Sequence, residues 1–370
     1  MIVRPWVDGF NDRRVEVLFP GPVLVPDEAV SAWEGESHAH GATGLPHQTR
    51  IARKPKGIGS ELKAVADGET GIMLGLEIQE GAARMKNKEF MDDPNMQTST
   101  AWTLRLTKPW NGTGRTIVGD SAFSSFKTVL AVLNVGNNYT GIIKGATTGF
   151  PMPHFKEWEA TSPQRGEYSV VETTVQVAGQ ARKVVGIAWK TKMMKLIITT
   201  VGNTLPGNPL VSKRSKRILM ADGRYGTHRY TKETARPKVI SDMFEHFSAV
   251  DVHDHYRQGT LRMEITWPTK TWHHRIIATV LGMVMVDAYF AYRFDHRRLN
   301  HGDEGAMLPF MSFVDQVAFK LLFNRWLQGG VRPHRDSHAG GGDDEDDHGV
   351  EVCALAMCCM YVCLFTVWCN

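Results

Sequence analysis

Two short apolar runs that each end in an acid constrain this chain most. Val23-Leu24-Val25-Pro26 runs into Asp27-Glu28, and Arg115-Thr116-Ile117-Val118-Gly119 runs into Asp120. An apolar run of about four residues bounded by turn formers reads as a buried strand. Behind the second run, Phe126, Val129, Leu130 and Leu133 recur at helical spacing, and residues 139–144 supply a further strand. Strand, acid, helix, strand is the order of a mixed α/β layer, and such sheets bind ligands beyond the carboxyl ends of their strands. Asp27 and Asp120 are predicted to stand there. Taken singly, either acid reads equally as a turn or helix-cap residue.

The rest of the chain is less uniform. Residues 1–30 read otherwise as short extended pieces, with a strand over 15–19 and Pro20, Pro22 and Pro26 breaking any helix. Residues 62–66, a turn at Asp67-Gly68 and residues 71–78 read as a hairpin. Residues 145–235 carry strand-like segments at 168–177, 183–189 and 195–201 with no convincing helix, an all-β insertion. Helical character returns over 236–256, 271–295 and 305–328. His38, His40 and His47 sit in a Gly- and Ser-rich stretch and read as solvated loop histidines rather than a metal cluster. Residues 331–349 form an acidic linker of disordered composition.

Charge and cysteine content then narrow the function. The chain has 370 residues, 42% apolar and 22% charged, which excludes a wholly disordered, collagen-like or multi-span membrane chain. Six of its 39 acids lie in residues 341–370, which hold no Lys or Arg. The net charge of +4 therefore conceals a body, residues 1–340, at a formal +10. A basic body favours a polyanionic partner such as nucleic acid. The five cysteines, Cys353, Cys358, Cys359, Cys363 and Cys369, all fall in the tail and lack C-x-x-C spacing, which argues against a cross-brace zinc fold. No secretion signal is read in residues 1–10, which fits an intracellular protein. Residues 350–368 are apolar at the lower edge of a membrane span, but no Lys or Arg flanks them, which disfavours an anchor.

A third acidic position completes the candidate site. Asp251 and Asp254 stand three apart in Ala249-Val250-Asp251-Val252-His253-Asp254-His255. On a helix that spacing puts both on one face. Carboxylates gathered from distant segments repel unless a divalent cation neutralises them, and oxygen ligands select Mg²⁺ or Mn²⁺. Two such ions suit phosphodiester cleavage. Lys213, Arg214, Lys216 and Arg217 form a basic run that suits phosphate contact or a solvated turn.

The order of these segments resembles the piggyBac family of DNA transposases and the proteins derived from them. Asp27-Glu28 followed by Trp33, the Lys54-Pro55-x-x-x-Gly59 segment before a hairpin, Asp120-Ser121-Ala122-Phe123-Ser124-Ser125 and Val250-Asp251-Val252-His253-Asp254 match the family's motifs in sequence. Trp272 and a long apolar helix follow, with Asp287-Ala288-Tyr289 where the family usually carries Asn-Ala-Tyr. The resemblance covers roughly residues 20–330.

That resemblance implies an α/β fold: an RNase H-like catalytic core interrupted by a β-rich insertion and followed by a helical segment. It implies a remnant of an N-terminal DNA-binding and dimerisation region at 1–22, core parts at 23–144 and 236–256, and the insertion at 145–235. A helical dimerisation and DNA-binding part spans 257–330, and an apolar Cys-rich tail spans 350–370. It further implies cut-and-paste transposition in the nucleus on double-stranded DNA, meaning transposon ends and a TTAA target, with a homodimer and no small-molecule cofactor. By carry-over Asp27, Asp120 and Asp251 hold two Mg²⁺ or Mn²⁺ ions, with Asp254 alongside. Trp272 lies near the DNA, or simply packs. The alternative is a transposon-derived DNA-binding protein that no longer cleaves, or a degenerate relic.

Overall fold

Residues 3–33, 48–52, 57–219, 224–267, 269 and 271–323 are described by a computed structural model. The expectations for His38, His40 and His47, for the linker and for the tail fall outside the described residues.

The chain opens on a helix, α1 (Arg4–Val17). Extended pieces were predicted there. Val3, Val7, Phe10 and Arg14 instead recur every three to four residues and form one buried face, and Pro5 sits in the first turn, where its missing N–H costs nothing. Strands β1 (Val23–Ala32), β2 (Gln48–Arg50), β3 (Ile58–Asp67) and β4 (Met73–Ile78) follow. The predicted hairpin is present as β3 and β4, with Asp67 accepting from the Gly21 and Thr70 amides in the turn region. Next come α2 (Ala82–Met85), α3 (Thr98–Thr107), β5 (Thr116–Gly119), α4 (Phe126–Asn134) and β6 (Asn138–Ile142).

These strands stand in the order β4-β3-β1-β5-β6, with the short β2 also paired to β3. Strand β3 runs antiparallel to its neighbours β4, β2 and β1, and β5 and β6 run parallel to β1. Helices α3 and α4 make the crossovers. This is the RNase H-like arrangement that was expected.

The middle of the chain differs from the reading of a separate all-β insertion. A helix, α5 (Met152–Ala160), precedes β7 (Tyr168–Val177), β8 (Gln180–Lys190) and β9 (Met194–Thr199). Its Phe155 is fully buried, so tertiary packing sets a helix that the composition concealed. Strand β9 pairs antiparallel with β6, and β8 and β7 follow, so these three continue the core sheet to nine strands. Among the described residues, only β10 (Leu210–Leu219) and β11 (Tyr225–Thr234) stand apart as a two-stranded ribbon. Then come α6 (Lys238–His246), α7 (Ala249–Asp254), a stretch of π-helix at residues 255–261, α8 (Met263–Thr266), α9 (Trp272–Leu299) and α10 (Phe310–Leu322).

The two faces of the sheet follow from strand alternation. On β3, Leu62, Ala64 and Ala66 pack with α1, α9 and α10, while Val65 packs with α3 and α4. Helix α9 is long and apolar enough to cross a membrane, yet 72% of its most apolar window is buried, and it serves as the core helix of that first layer. Strand β4 would leave an open edge. There the Asn11 side chain donates to the Leu76 carbonyl and accepts from the Leu76 amide, both at 2.8 Å. One amide thus makes the pair of bonds a further strand would make.

Candidate active site

The register of two parallel strands brings the first two acids together. Leu24 lies level with Ile117 in the parallel ladder, and beyond its end Asp27 on β1 and Asp120, the residue after β5, come close enough for their carboxylates to share a ligand. Asp27 was predicted at the end of its strand, but β1 continues to Ala32, paired with β3 alone. What ends at Leu24 is the ladder to β5. The Pro22 carbonyl accepts from Thr116 and the Val23 carbonyl from Gly68, so even-numbered backbone groups of β1 face β5. Pro26 falls on that side and has no N–H to give, and the two strands part. The next amide on that side, Glu28 N–H, donates to Asp27 Oδ1 at 2.7 Å instead. Where the strands part, the Asp27 carboxylate of β1 and the Asp120 carboxylate just past β5 stand close together.

Ligand atoms of Asp27, Glu28 and Asp120 all lie within 4.8 Å of one another, with Asp27 and Glu28 buried. Glu28 was noted in the sequence only as the second acid of a pair. Its register partner is Lys63 on β3, whose ammonium lies 3.3 Å from Glu28 and 2.5 Å from Glu61. That ammonium is itself buried, 4.0 Å from the Trp102 ring centre and 5.3 Å from that of Phe123. One cation thus offsets part of the acidic charge from below. Three carboxylates with one neighbouring ammonium leave a cluster of hard oxygen donors, which fits a divalent cation of the Mg²⁺ or Mn²⁺ type.

Asp120 is fixed by its own loop. Its Oδ1 accepts from the Ala122 amide at 2.7 Å, and its carbonyl accepts from Phe123 N–H and Ser124 Oγ. Ser125 caps α4 by accepting from Thr128 N–H at 3.0 Å. Beneath this loop the Tyr139 hydroxyl bonds Ser124 Oγ at 2.8 Å and donates to the Phe123 carbonyl. Glycines at 119 and 141 make the room. A Cβ on Gly141 would come within 2.6 Å of the Gly119 carbonyl and would also strike Ser124 Oγ. Gly141→Ala is expected to lower stability by about 1–3 kcal/mol, read by denaturant unfolding.

Burial, and then the nearby Asp120 charge, push the Tyr139 phenol above its ordinary value of 10.0, against an opposing bond from Ser124. The sign follows from linkage. The folded state keeps this proton where the unfolded chain loses it. The stabilisation is present below about pH 10 and is lost as pH rises above that value. Tyr139→Phe is expected to flatten the fall in unfolding free energy above pH 10, measured by denaturant titration across that range.

Asp251 is exposed on α7, a helix that packs against β1, and it is not among the three clustered acids. Asp254 is buried and bonds Arg257 at 2.7 Å. Arg257 also donates to the Val30 carbonyl at 3.0 Å and contacts Glu264, which ties the π-helical stretch to β1. His253 is fully buried and bonds Asp287 at 3.1 Å. Asp287 also accepts from Arg14 at 2.7 Å and from the Met73 amide at 2.8 Å. The acid where the resemblance leads to asparagine is thus matched by a buried arginine from α1.

Trp272 is buried at the start of α9, edge-on to His273. The neighbouring exposed tryptophan is Trp267, stacked on His274 with centroids 6.1 Å apart. Lys213, Arg214, Lys216 and Arg217 are exposed along β10, on the ribbon.

The family model for transposase IS4 matches residues 2–289. The chain belongs to the transposase IS4 family. No curated protein matches its sequence. The fold is similar to that of piggyBac transposase in a cryo-EM structure of its synaptic complex with hairpin DNA, with a TM-score of 0.59 and 15% identity. That match covers 94% of this chain and 65% of the other, so this member of the family spans a little under two thirds of its neighbour's length. The family and the α/β fold expected from the motifs are both borne out. Glu28 was the acid that the motif reading passed over. Its signal was present as the second carboxylate after an apolar run.

Proposed function

We propose that this chain carries the catalytic region of a cut-and-paste DNA transposase that cleaves phosphodiesters and joins the released ends at TTAA sites. The observation that carries this reading is the clustering of the Asp27, Glu28 and Asp120 carboxylates within 4.8 Å of one another, where the parallel ladder of β1 and β5 ends in an RNase H-like sheet. Asp27, Asp120 and Glu28 would hold a divalent cation, Mg²⁺ or Mn²⁺, and Asp251 on α7 would serve a second. When bound, the ions supply Lewis-acid chemistry that offsets the charge developing on a cleaved phosphodiester. The chain's own groups orient that site. The Asp120 loop fixes one carboxylate, Lys63 holds Glu28, and Arg257 holds Asp254 beside β1. In this reading the partner is double-stranded DNA, the assembly a homodimer and the compartment the nucleus. The formal charge of +10 on residues 1–340 supports the polyanionic partner.

The test is a nicking and strand-transfer assay on a TTAA-containing duplex and a hairpin-ended DNA, with Mg²⁺, Mn²⁺ or EDTA. Metal-dependent nicking is the expected result. DNA binding by folded protein with no cleavage in either metal would overturn it in favour of a derived DNA-binding protein.

A further inference from the structure

The β10–β11 ribbon has no core of its own. Its strands pair with each other over ten residues, Leu210↔Thr234 through Leu219↔Tyr225, and with no other strand among the described residues. A lone two-stranded hairpin in water is marginal because it buries no apolar face. This one also crowds like charge: residues 210–234 hold seven Lys and Arg against Asp222 and Glu233. The register distributes the bases over both faces. Arg214, Lys216 and Lys232 share one face with Tyr230 and His228, whose rings stack with 14° between planes. Lys213, Arg217 and Arg229 share the other, where Arg217 lies 4.8 Å over the Tyr225 ring. All of these side chains are exposed. The base of the ribbon is anchored: Gly207 N–H donates to the Arg236 carbonyl, Arg236 Nε donates to the Asn208 carbonyl, and Trp189 Nε1 donates to the Ala235 carbonyl. Cations on both faces of an anchored arm repel one another, and a polyanion relieves that repulsion.

We infer that the β10–β11 ribbon is an arm that enters the major groove of duplex DNA, with one set of bases toward each phosphate wall. This rests on the reading of DNA as the partner. Its ten-residue strands reach about 33 Å, close to one turn of B-DNA, and a two-stranded ribbon fits a major groove about 12 Å wide. The bases on both faces suit a cleft with two anionic walls better than one flat surface. Tyr230 and His228 add planar groups on the face that carries Arg214.

The experiment uses the full chain in EDTA with a fluorescein-labelled random-sequence DNA duplex of about 20 base pairs. Binding is titrated from low to high salt. Two triple variants are compared with wild type, Arg214→Ser/Lys216→Ser/Lys232→Ser and Lys213→Ser/Arg217→Ser/Arg229→Ser, each checked by thermal melting. Each is expected to lower the slope of log affinity against log salt by about 2–3, the counterion release of three phosphate contacts, and to weaken binding about ten- to a hundredfold. A duplex RNA of equal length binds more weakly, because its deep, narrow major groove does not admit a ribbon. Wild-type slopes in both triple variants would overturn the arm while leaving the transposase reading intact. Equal, ribbon-dependent binding of duplex RNA would overturn groove entry. No DNA binding by wild type would overturn arm and reading together.

Discussion

Asp120→Asn is expected to reduce metal-dependent nicking by more than about a hundredfold while leaving the melting temperature close to wild type. Loss of groups that merely orient a metal ligand costs about ten- to a hundredfold, and loss of a ligand costs more. The fold should tolerate the change. Asparagine keeps the side-chain oxygen that accepts from Ala122 N–H, and it removes one of three crowded negative charges. Asp27→Asn behaves likewise, since its oxygen still receives the Glu28 amide. Glu28→Gln separates the roles within the cluster. If Glu28 contributes a donor, nicking falls with a raised metal requirement, seen as a shift in the Mn²⁺ concentration for half-maximal rate. Nicking at wild-type rate in Asp120→Asn would remove the acid cluster from the chemistry.

The second large effect concerns stability. Asp287→Ala is expected to cost about 3–5 kcal/mol in denaturant unfolding, because it leaves the Arg14 guanidinium buried without its anionic partner and removes the acceptor of His253 and of the Met73 amide. A companion Arg14→Met should restore much of the loss, since the uncompensated charge is then gone. The double variant separates a charge penalty from simple cavity formation. A loss below about 1 kcal/mol for Asp287→Ala would show that Arg14 finds another partner.

What the sequence disclosed follows from how each element buries its surface. Strand β5 and helix α4 were legible because a parallel strand covered on both faces is an uninterrupted apolar run, and the helix behind it keeps its apolar residues on one side. Helix α1 was hidden. Its buried face includes Arg14, and the rest of the helix mixes Asp8, Gly9, Asp12, Arg13 and Glu16 with Trp6, Val15 and Val17, so no clean apolar stripe announces it. Helix α3 buries Thr100, Thr103 and Thr107, residues that favour strands and turns. Thr100 is satisfied only because Thr128 of α4 meets it at 2.8 Å, a contact invisible in one dimension. At the candidate site, Asp27 and Asp120 were legible as acids after buried runs. Their approach to one another was not, because it depends on where the ladder between β1 and β5 ends. Lys63 was passed over, since a lysine in a hairpin ordinarily points to water, and only the register sets it against Glu28.

The single amide of Asn11 has a consequence for handling this protein. Because it occupies the two bonds of Leu76, the flank of β4 is closed to any other chain. Shortening the chain past α1, or replacing Asn11 with leucine, would convert that flank into a seed on which a second molecule's strand adds. The first sign would be concentration-dependent precipitation before any loss of secondary structure, a loss of solubility that originates far from the acids.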